Sequence, residues 1–145
     1  MNEFAFKGLL QNSGWIDDVT IQTDDQGIIK SIMSGVKGKS AHSGYALPGF
    51  QNAHSHAFQY AMAGLAELHS TNPNQNDFWS WRKSMYALAL KISPDQMESI
   101  SALLYKEMLR NGYTHVAEFH YVHHDSKGKY FSNTSEMGER LFAGD

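Results

Sequence analysis

The chain has 145 residues, no cysteine and a net charge of -3 at pH 7. This excludes disulfides and thiolate zinc sites and gives no electrostatic reason to expect nucleic acid or an anionic membrane as a partner. With 41% hydrophobic and 19% charged residues and no apolar run near the ~18–20 residues of a membrane span, it reads as a soluble globular protein. A cytoplasmic location is expected, because Met1-Asn2-Glu3-Phe4 does not open a basic n-region followed by an apolar h-region.

Residues 1–46 read as short strands. Phe4-Ala5-Phe6 is the first, and Trp15-Ile16 leads into Val19-Thr20-Ile21-Gln22-Thr23. Asp24-Asp25-Gln26-Gly27 is a turn signal, with Ile28-Ile29-Lys30-Ser31-Ile32 as the returning strand of a hairpin. Ser34 to Gly44 is rich in Gly, Ser and Lys and reads as a surface loop.

The texture changes after residue 46. Tyr45-Ala46-Leu47 runs as an apolar strand through a Pro48-Gly49 corner toward His54 and His56. Ala57 to Leu68 starts as helix, Ser70 to Asn76 is a polar loop, and a second helical stretch runs from Asp77, its N-cap, through Lys91. The spacing predicts a helix over 94–111. Ser93 is its N-cap, Pro94 sits at N1 and Gln96 completes a capping box. Met97, Ile100, Leu104 and Met108 share one face, and Asn111-Gly112 is the stop. Tyr113 to Phe119 reads as a strand, which makes a βαβ-type unit with parallel pairing. One more helix is expected between Phe131 and Phe142.

The chemistry concentrates around His54-Ser55-His56. On a strand, positions i and i+2 share a face with Cα atoms about 6.6 Å apart, from a rise of roughly 3.3 Å per residue. Two such imidazoles reach one ion at about 2.0–2.1 Å. A His-x-His pair alone is as readily a polar strand end, but a pair at the C-terminal end of a strand lies where α/β barrels build active sites. A catalytic zinc site takes three protein ligands and keeps a position for water, so this pair does not complete one. His120-Tyr121-Val122-His123-His124-Asp125 is a second cluster; its spacing fits no zinc pattern, and a solvated loop is the simpler reading. Phe78-Trp79-Ser80-Trp81-Arg82 sets aromatics beside a guanidinium suited to a carboxylate, although an amphipathic helix start with a surface arginine explains it as well. Glu118 reads as a ligand, a proton carrier or the partner of a cation, and the sequence leaves these open. Gln59, three residues past His56, would place an amide near a ligand bound there but means little as a lone residue, and His42 and His69 read as surface residues.

Leu47-Pro48-Gly49-Phe50 through His54-Ser55-His56 resembles the first-strand metal motif of the amidohydrolase superfamily. A longer set is more specific: Asn52 to Gln59, Ala61 to Leu65, Phe78 to Arg82 with Met85-Tyr86, Glu107-Met108-Leu109, Gly112-Tyr113-Thr114, and Ala117-Glu118-Phe119-His120-Tyr121-Val122-His123-His124. Together these resemble the formimidoylglutamate deiminases within that superfamily, from about residue 5 to residue 130.

The resemblance implies an α/β fold: the N-terminal portion of a (β/α)8 amidohydrolase barrel over residues 47–145, preceded over residues 1–46 by part of a small β-sandwich domain. Such a barrel needs roughly 250 residues, so the family pattern is expected to run past Asp145. The resemblance implies one zinc ion per subunit, with His54 and His56 matching its first two ligands. The remaining ligands, the proton-transferring glutamate and a further active-site histidine have no matching position, so no catalytic residue is assigned within the chain. Gln59 matches a residue near the formimino group, and Arg82 and Tyr121 match residues that hold substrate carboxylate. The implied reaction is hydrolytic deimination of N-formimidoyl-L-glutamate in histidine degradation, with residues 1–145 inactive by themselves. The expected partners are a small-molecule substrate and, for the complete enzyme, a second copy of itself. Two alternatives remain: another aminohydrolase of the superfamily, of the nucleobase deaminase type, and a non-catalytic histidine-rich metal-binding domain.

Overall fold

The computed structural model describes residues 1–35, 44–65 and 78–144. His42, His69, the Asp77 N-cap, the polar loop 70–76, the end of the Ala57–Leu68 helical reading and most of the 34–44 loop lie outside the described residues. The backbone divides into two compact units, Met1–Gly49 and Phe50–Asp145.

In the first unit, β1 (Asn2–Gln11), β2 (Gly14–Thr23), β3 (Ile29–Ser34) and β4 (Tyr45–Ala46) form one sheet in the order β3-β2-β1-β4. The strands expected from the alternating pattern are present but longer, because β1 and β2 pair antiparallel from Asn2↔Thr23 to Gln11↔Gly14. A paired backbone carries a strand past the point where its apolar alternation fades. The β2–β3 turn is built as the Asp24–Gly27 signal predicts. The Asp24 carboxylate accepts from the backbone N–H of Gln26 and Ile28 at 3.0 and 2.9 Å, and Gly27 takes the left-handed conformation at φ 80°. Leu9, Val19 and Ile21 form the buried core of this unit.

In the second unit, β5 (Phe50–Ser55) pairs parallel with β6 (Tyr113–Glu118). Between them run a 3₁₀ turn (Ala57–Met62), α1 (Phe78–Ala89) and α2 (Pro94–Arg110), and α3 (Glu136–Ala143) follows. This is the parallel strand–helix–strand organisation expected from the sequence. Two local details differ. The strand that carries the histidines begins after the Pro48-Gly49 corner, while Tyr45-Ala46 pairs with β1 instead. The segment after His56 is a 3₁₀ turn where an α-helix start was expected. The helix expected after Phe131 is present as Glu136–Ala143.

α2 has the predicted ends. Ser93 Oγ accepts from Gln96 N–H at 3.2 Å, and Gln96 Oε1 accepts from Ser93 N–H at 3.0 Å. At its far end Asn111 is the C-cap and Gly112 is left-handed at φ 85°. The buried stripe includes Met97, with Ile100, Leu104 and Met108 packed partly buried against the core, and also Ser101 and Tyr105. This core gathers Phe58 and Met62 from the 3₁₀ turn, Met85 and Ala89 from α1, and Met137 and Leu141 from α3. It packs the 3₁₀ turn that follows β5, and Val116 of β6, against the helices.

Candidate metal centre

His54 lies at the C-terminal end of β5 and His56 one residue beyond it. Their rings lie 4.7 Å apart between centroids, edge to face at 80°, and their Nε2 atoms are 3.1 Å apart. Both imidazoles therefore aim at one point, as the i, i+2 spacing predicts. Two nitrogens bound at about 2.0–2.1 Å to one tetrahedral ion stand about 3.4 Å from each other, so the observed spacing fits shared ligation of zinc.

The neighbouring bonds fix which nitrogen points inward. His56 Nδ1 lies 2.7 Å from the carbonyl oxygen of Phe119. A carbonyl only accepts, so Nδ1 carries the proton and Nε2 of the neutral ring presents its lone pair toward His54. A backbone carbonyl behind a ligating histidine is the usual device that orients the ring and raises its basicity. His54 is placed through its backbone, whose N–H donates to the Asn52 side-chain oxygen at 3.1 Å.

Beside the pair, Tyr121 packs its ring 5.8 Å from His56 and 4.9 Å from Phe58. Gln59 Nε2 donates to the Tyr121 hydroxyl at 2.8 Å and to the Met85 sulfur at 3.3 Å, and the Tyr121 hydroxyl donates to the same sulfur at 2.7 Å. Both amide hydrogens of Gln59 are thereby engaged, and its carbonyl oxygen is the end left for a ligand. Arg82, on α1, sets its guanidinium 5.6 Å from the Trp79 ring and 5.3 Å from the Tyr86 ring. Tyr86 in turn lies 6.4 Å from Tyr121. Among the described residues Arg82 forms no ion pair, so its charge is held by aromatic faces and stays open to an anion. The structure thus brings His54, His56, Gln59, Tyr121 and, through Tyr86, Arg82 into one neighbourhood.

The other histidines behave differently. The His120 and His123 rings lie 4.9 Å apart, tilted at 45°, and His124 packs on Tyr130 at 4.2 Å. Burial, reinforced by the nearby His123, pushes the His120 imidazole below its ordinary pKa. Its Nδ1 is buried without a hydrogen-bond partner among the described residues. No group of three or more His, Cys, Asp or Glu side chains able to hold a metal ion occurs among the described residues. The second cluster therefore does not complete the site begun by His54 and His56, as the self-contained histidine-rich alternative would require.

Sequence reasoning missed two contributors. Met85, which the sequence offered only as part of the resemblance, accepts from both Gln59 and Tyr121. The Phe119 carbonyl is backbone chemistry, which no side-chain identity announces. The Glu118 carboxylate accepts from Ala57 N–H at 2.8 Å and from the Tyr105 hydroxyl at 3.3 Å.

The chain is similar to known proteins in sequence and in fold. The sequence profile of the amidohydrolase family matches residues 45–144. A formimidoylglutamate deiminase of Pseudomonas aeruginosa is 45% identical over 140 residues, which are 95% of this chain and 30% of that protein. The crystal structure of an amidohydrolase from Brucella melitensis superposes with a TM-score of 0.85 at 40% identity, covering 99% of this chain and 32% of that one. The fold alone is shared with a mutant atrazine chlorohydrolase from Arthrobacter aurescens solved with zinc and atraton, at a TM-score of 0.69 and 19% identity over 98% of this chain and 33% of that one. The chain spans about a third of the length of each of these relatives.

Proposed function

The chain belongs to the amidohydrolase family, and from that premise we propose that it serves hydrolytic deimination of N-formimidoyl-L-glutamate, giving N-formyl-L-glutamate and ammonia in histidine degradation. The observation that carries this reading is the convergence of His54 Nε2 and His56 Nε2 at 3.1 Å, in a sequence 45% identical to a formimidoylglutamate deiminase. We propose zinc as the ion, held by His54 and His56. Zinc so held supplies a Lewis acid that brings the pKa of bound water toward about 7 and makes a nucleophile available at neutral pH.

The chain's own residues prepare the rest. Phe119 keeps the His56 proton on Nδ1, so that Nε2 is free to ligate. Gln59, with both N–H groups held by Tyr121 and Met85, turns its carbonyl outward as an acceptor for the N–H of a formimino group. Arg82 supplies the positive charge for a substrate carboxylate. Tyr121 joins it by swinging its hydroxyl proton from the thioether to the anion. That exchange is favourable, because a carboxylate is a far stronger acceptor than a thioether sulfur. Fixing both ends of the substrate sets the reacting carbon's position.

Residues 1–145 by themselves are proposed to be inactive, since two histidines leave a catalytic zinc short of the usual three protein ligands. The test is an ammonia-release assay on N-formimidoyl-L-glutamate, with zinc supplied, using the product of the whole reading frame and residues 1–145 in parallel. Release by the former only is expected. A whole-frame product that deaminates a nucleobase and leaves formimidoylglutamate untouched overturns the substrate reading. Turnover by residues 1–145 overturns the inactivity.

A further inference from the structure

We propose that Glu118 is a positioning residue for the histidine pair: it neither ligates the ion nor carries a proton, and its carboxylate fixes the backbone that follows His56. The inference rests on the reading of His54 and His56 as zinc ligands.

Three consecutive residues at the β5 end, Ser55, His56 and Ala57, each bond to one of two consecutive residues at the β6 end, Glu118 and Phe119. Ser55 accepts on its carbonyl from Phe119 N–H at 3.0 Å. His56 donates from Nδ1 to the Phe119 carbonyl at 2.7 Å. Ala57 donates its N–H to Glu118 Oε1 at 2.8 Å. The first of these is an ordinary strand bond and the second orients the ring. The third comes from a charged side chain and acts where the strand has ended. Ala57 opens the 3₁₀ turn, so the turn itself gives its N–H no acceptor. Ala57 is fully buried, and a buried N–H without a partner is costly. Glu118 is half-buried, and its second oxygen is held by Tyr105 of α2 at 3.3 Å. The carboxylate is therefore anchored on one side to the helix layer and on the other to the residue adjoining a metal-binding histidine.

This arrangement depends on reach and on an acceptor oxygen, and not on charge as such. Glu118→Gln keeps an oxygen for Ala57 N–H and can donate to the Tyr105 oxygen. Glu118→Asp keeps the charge, but is one methylene short. A metal ligand or a proton carrier would show the opposite ranking, with the carboxylate in Asp outperforming the amide in Gln.

The experiment is competitive titration of zinc against a chromophoric chelator, on the product of the whole reading frame and on both variants made in it, with no substrate present. Glu118→Asp is expected to weaken zinc binding roughly 10- to 100-fold, the range for loss of an outer partner of a metal site, and Glu118→Gln to stay within about 3-fold of the parent. Melting of the metal-free proteins is followed alongside, and Glu118→Gln should match the parent. If Glu118→Asp fails to fold, Tyr105→Phe takes its place and is expected to weaken zinc binding in the same direction by a smaller factor. Parent-like affinity in the reach-shortened variant, or in its substitute, overturns the inference, as does a loss in Glu118→Gln equal to that in Glu118→Asp. A parent that takes up no zinc overturns the metal reading itself, which separates the two failures.

Discussion

His56 donates through Nδ1 to the carbonyl of Phe119 at 2.7 Å, and its opposite nitrogen faces His54 Nε2 at 3.1 Å. The single bond to Phe119 selects the tautomer and the direction of the lone pair together. His56→Ala removes a ligand outright. It is expected to lower zinc affinity by more than the roughly 10–100-fold typical of outer-partner losses, and to abolish ammonia release from formimidoylglutamate by the whole-frame product. Chelator treatment of the parent should do the same, with recovery on added zinc. Activity that survives complete metal removal would refute the role given to the pair.

Arg82 rests its guanidinium on the faces of Trp79 and Tyr86. This orients it without neutralising it. A hydrogen bond to a charged group contributes about 1.5–3 kcal/mol, so Arg82→Ala is expected to raise KM for formimidoylglutamate about 10- to 100-fold. Arg82→Lys should recover little, because an ammonium lacks both the planar stack and the forked donors. Steady-state kinetics on the whole-frame product decide this, and an unchanged KM for the alanine variant removes Arg82 from the substrate site.

Burial and the neighbouring His123 lower the His120 pKa, against smaller opposing effects of a backbone bond at Val122 and the charge of Glu118. The sign follows from linkage. Between the lowered folded value and the ordinary value near 6.5, the unfolded chain binds more protons than the folded one, so stability rises with pH across that window. Stability is expected to be intact above about 6.5 and to fall as pH drops below it. In His120→Gln, which cannot titrate, the fall should be shallower. Denaturant midpoints at pH 5 and pH 8 for both proteins measure the difference, and equal pH slopes would refute it.

Much of this arrangement was legible before any coordinates, for local reasons. The Ser93/Gln96 capping box, the Asp24–Gly27 turn and the left-handed Gly112 each depend on neighbours within a few residues, and the sequence displays them directly. The i, i+2 spacing of His54 and His56 is likewise local. What could not be read were contacts across 60 residues or so. The bond from Ala57 to Glu118 spans 61 positions and that from His56 to Phe119 spans 63, and one of these uses a main-chain oxygen. The strand begins later than the apolar pattern suggests for a related reason. Leu47 looks like strand core and Phe50-Gln51-Asn52 does not, yet the latter pairs with β6 because Phe50 N–H donates to Gly112 O at 2.8 Å. Pairing with a partner strand overrides side-chain pattern there.

The capping box gives the test of the helix layer that backs the site. Ser93 Oγ and Gln96 Oε1 satisfy each other's backbone N–H groups, and α2 carries both Met97 in the core and Tyr105 beneath Glu118. Ser93→Ala removes one acceptor and leaves the Gln96 N–H to solvent. The expected loss is about 1 kcal/mol, within the roughly 0.5–2 kcal/mol range for N-cap removal. Ser93→Asp keeps an acceptor and adds a favourable charge at the helix N-terminus, so it should remain within about 0.5 kcal/mol of the parent or exceed it. Urea denaturation followed by far-ultraviolet circular dichroism reads both. If alanine and aspartate prove equally stable, the cap contributes nothing, and α2 is held by its buried face alone.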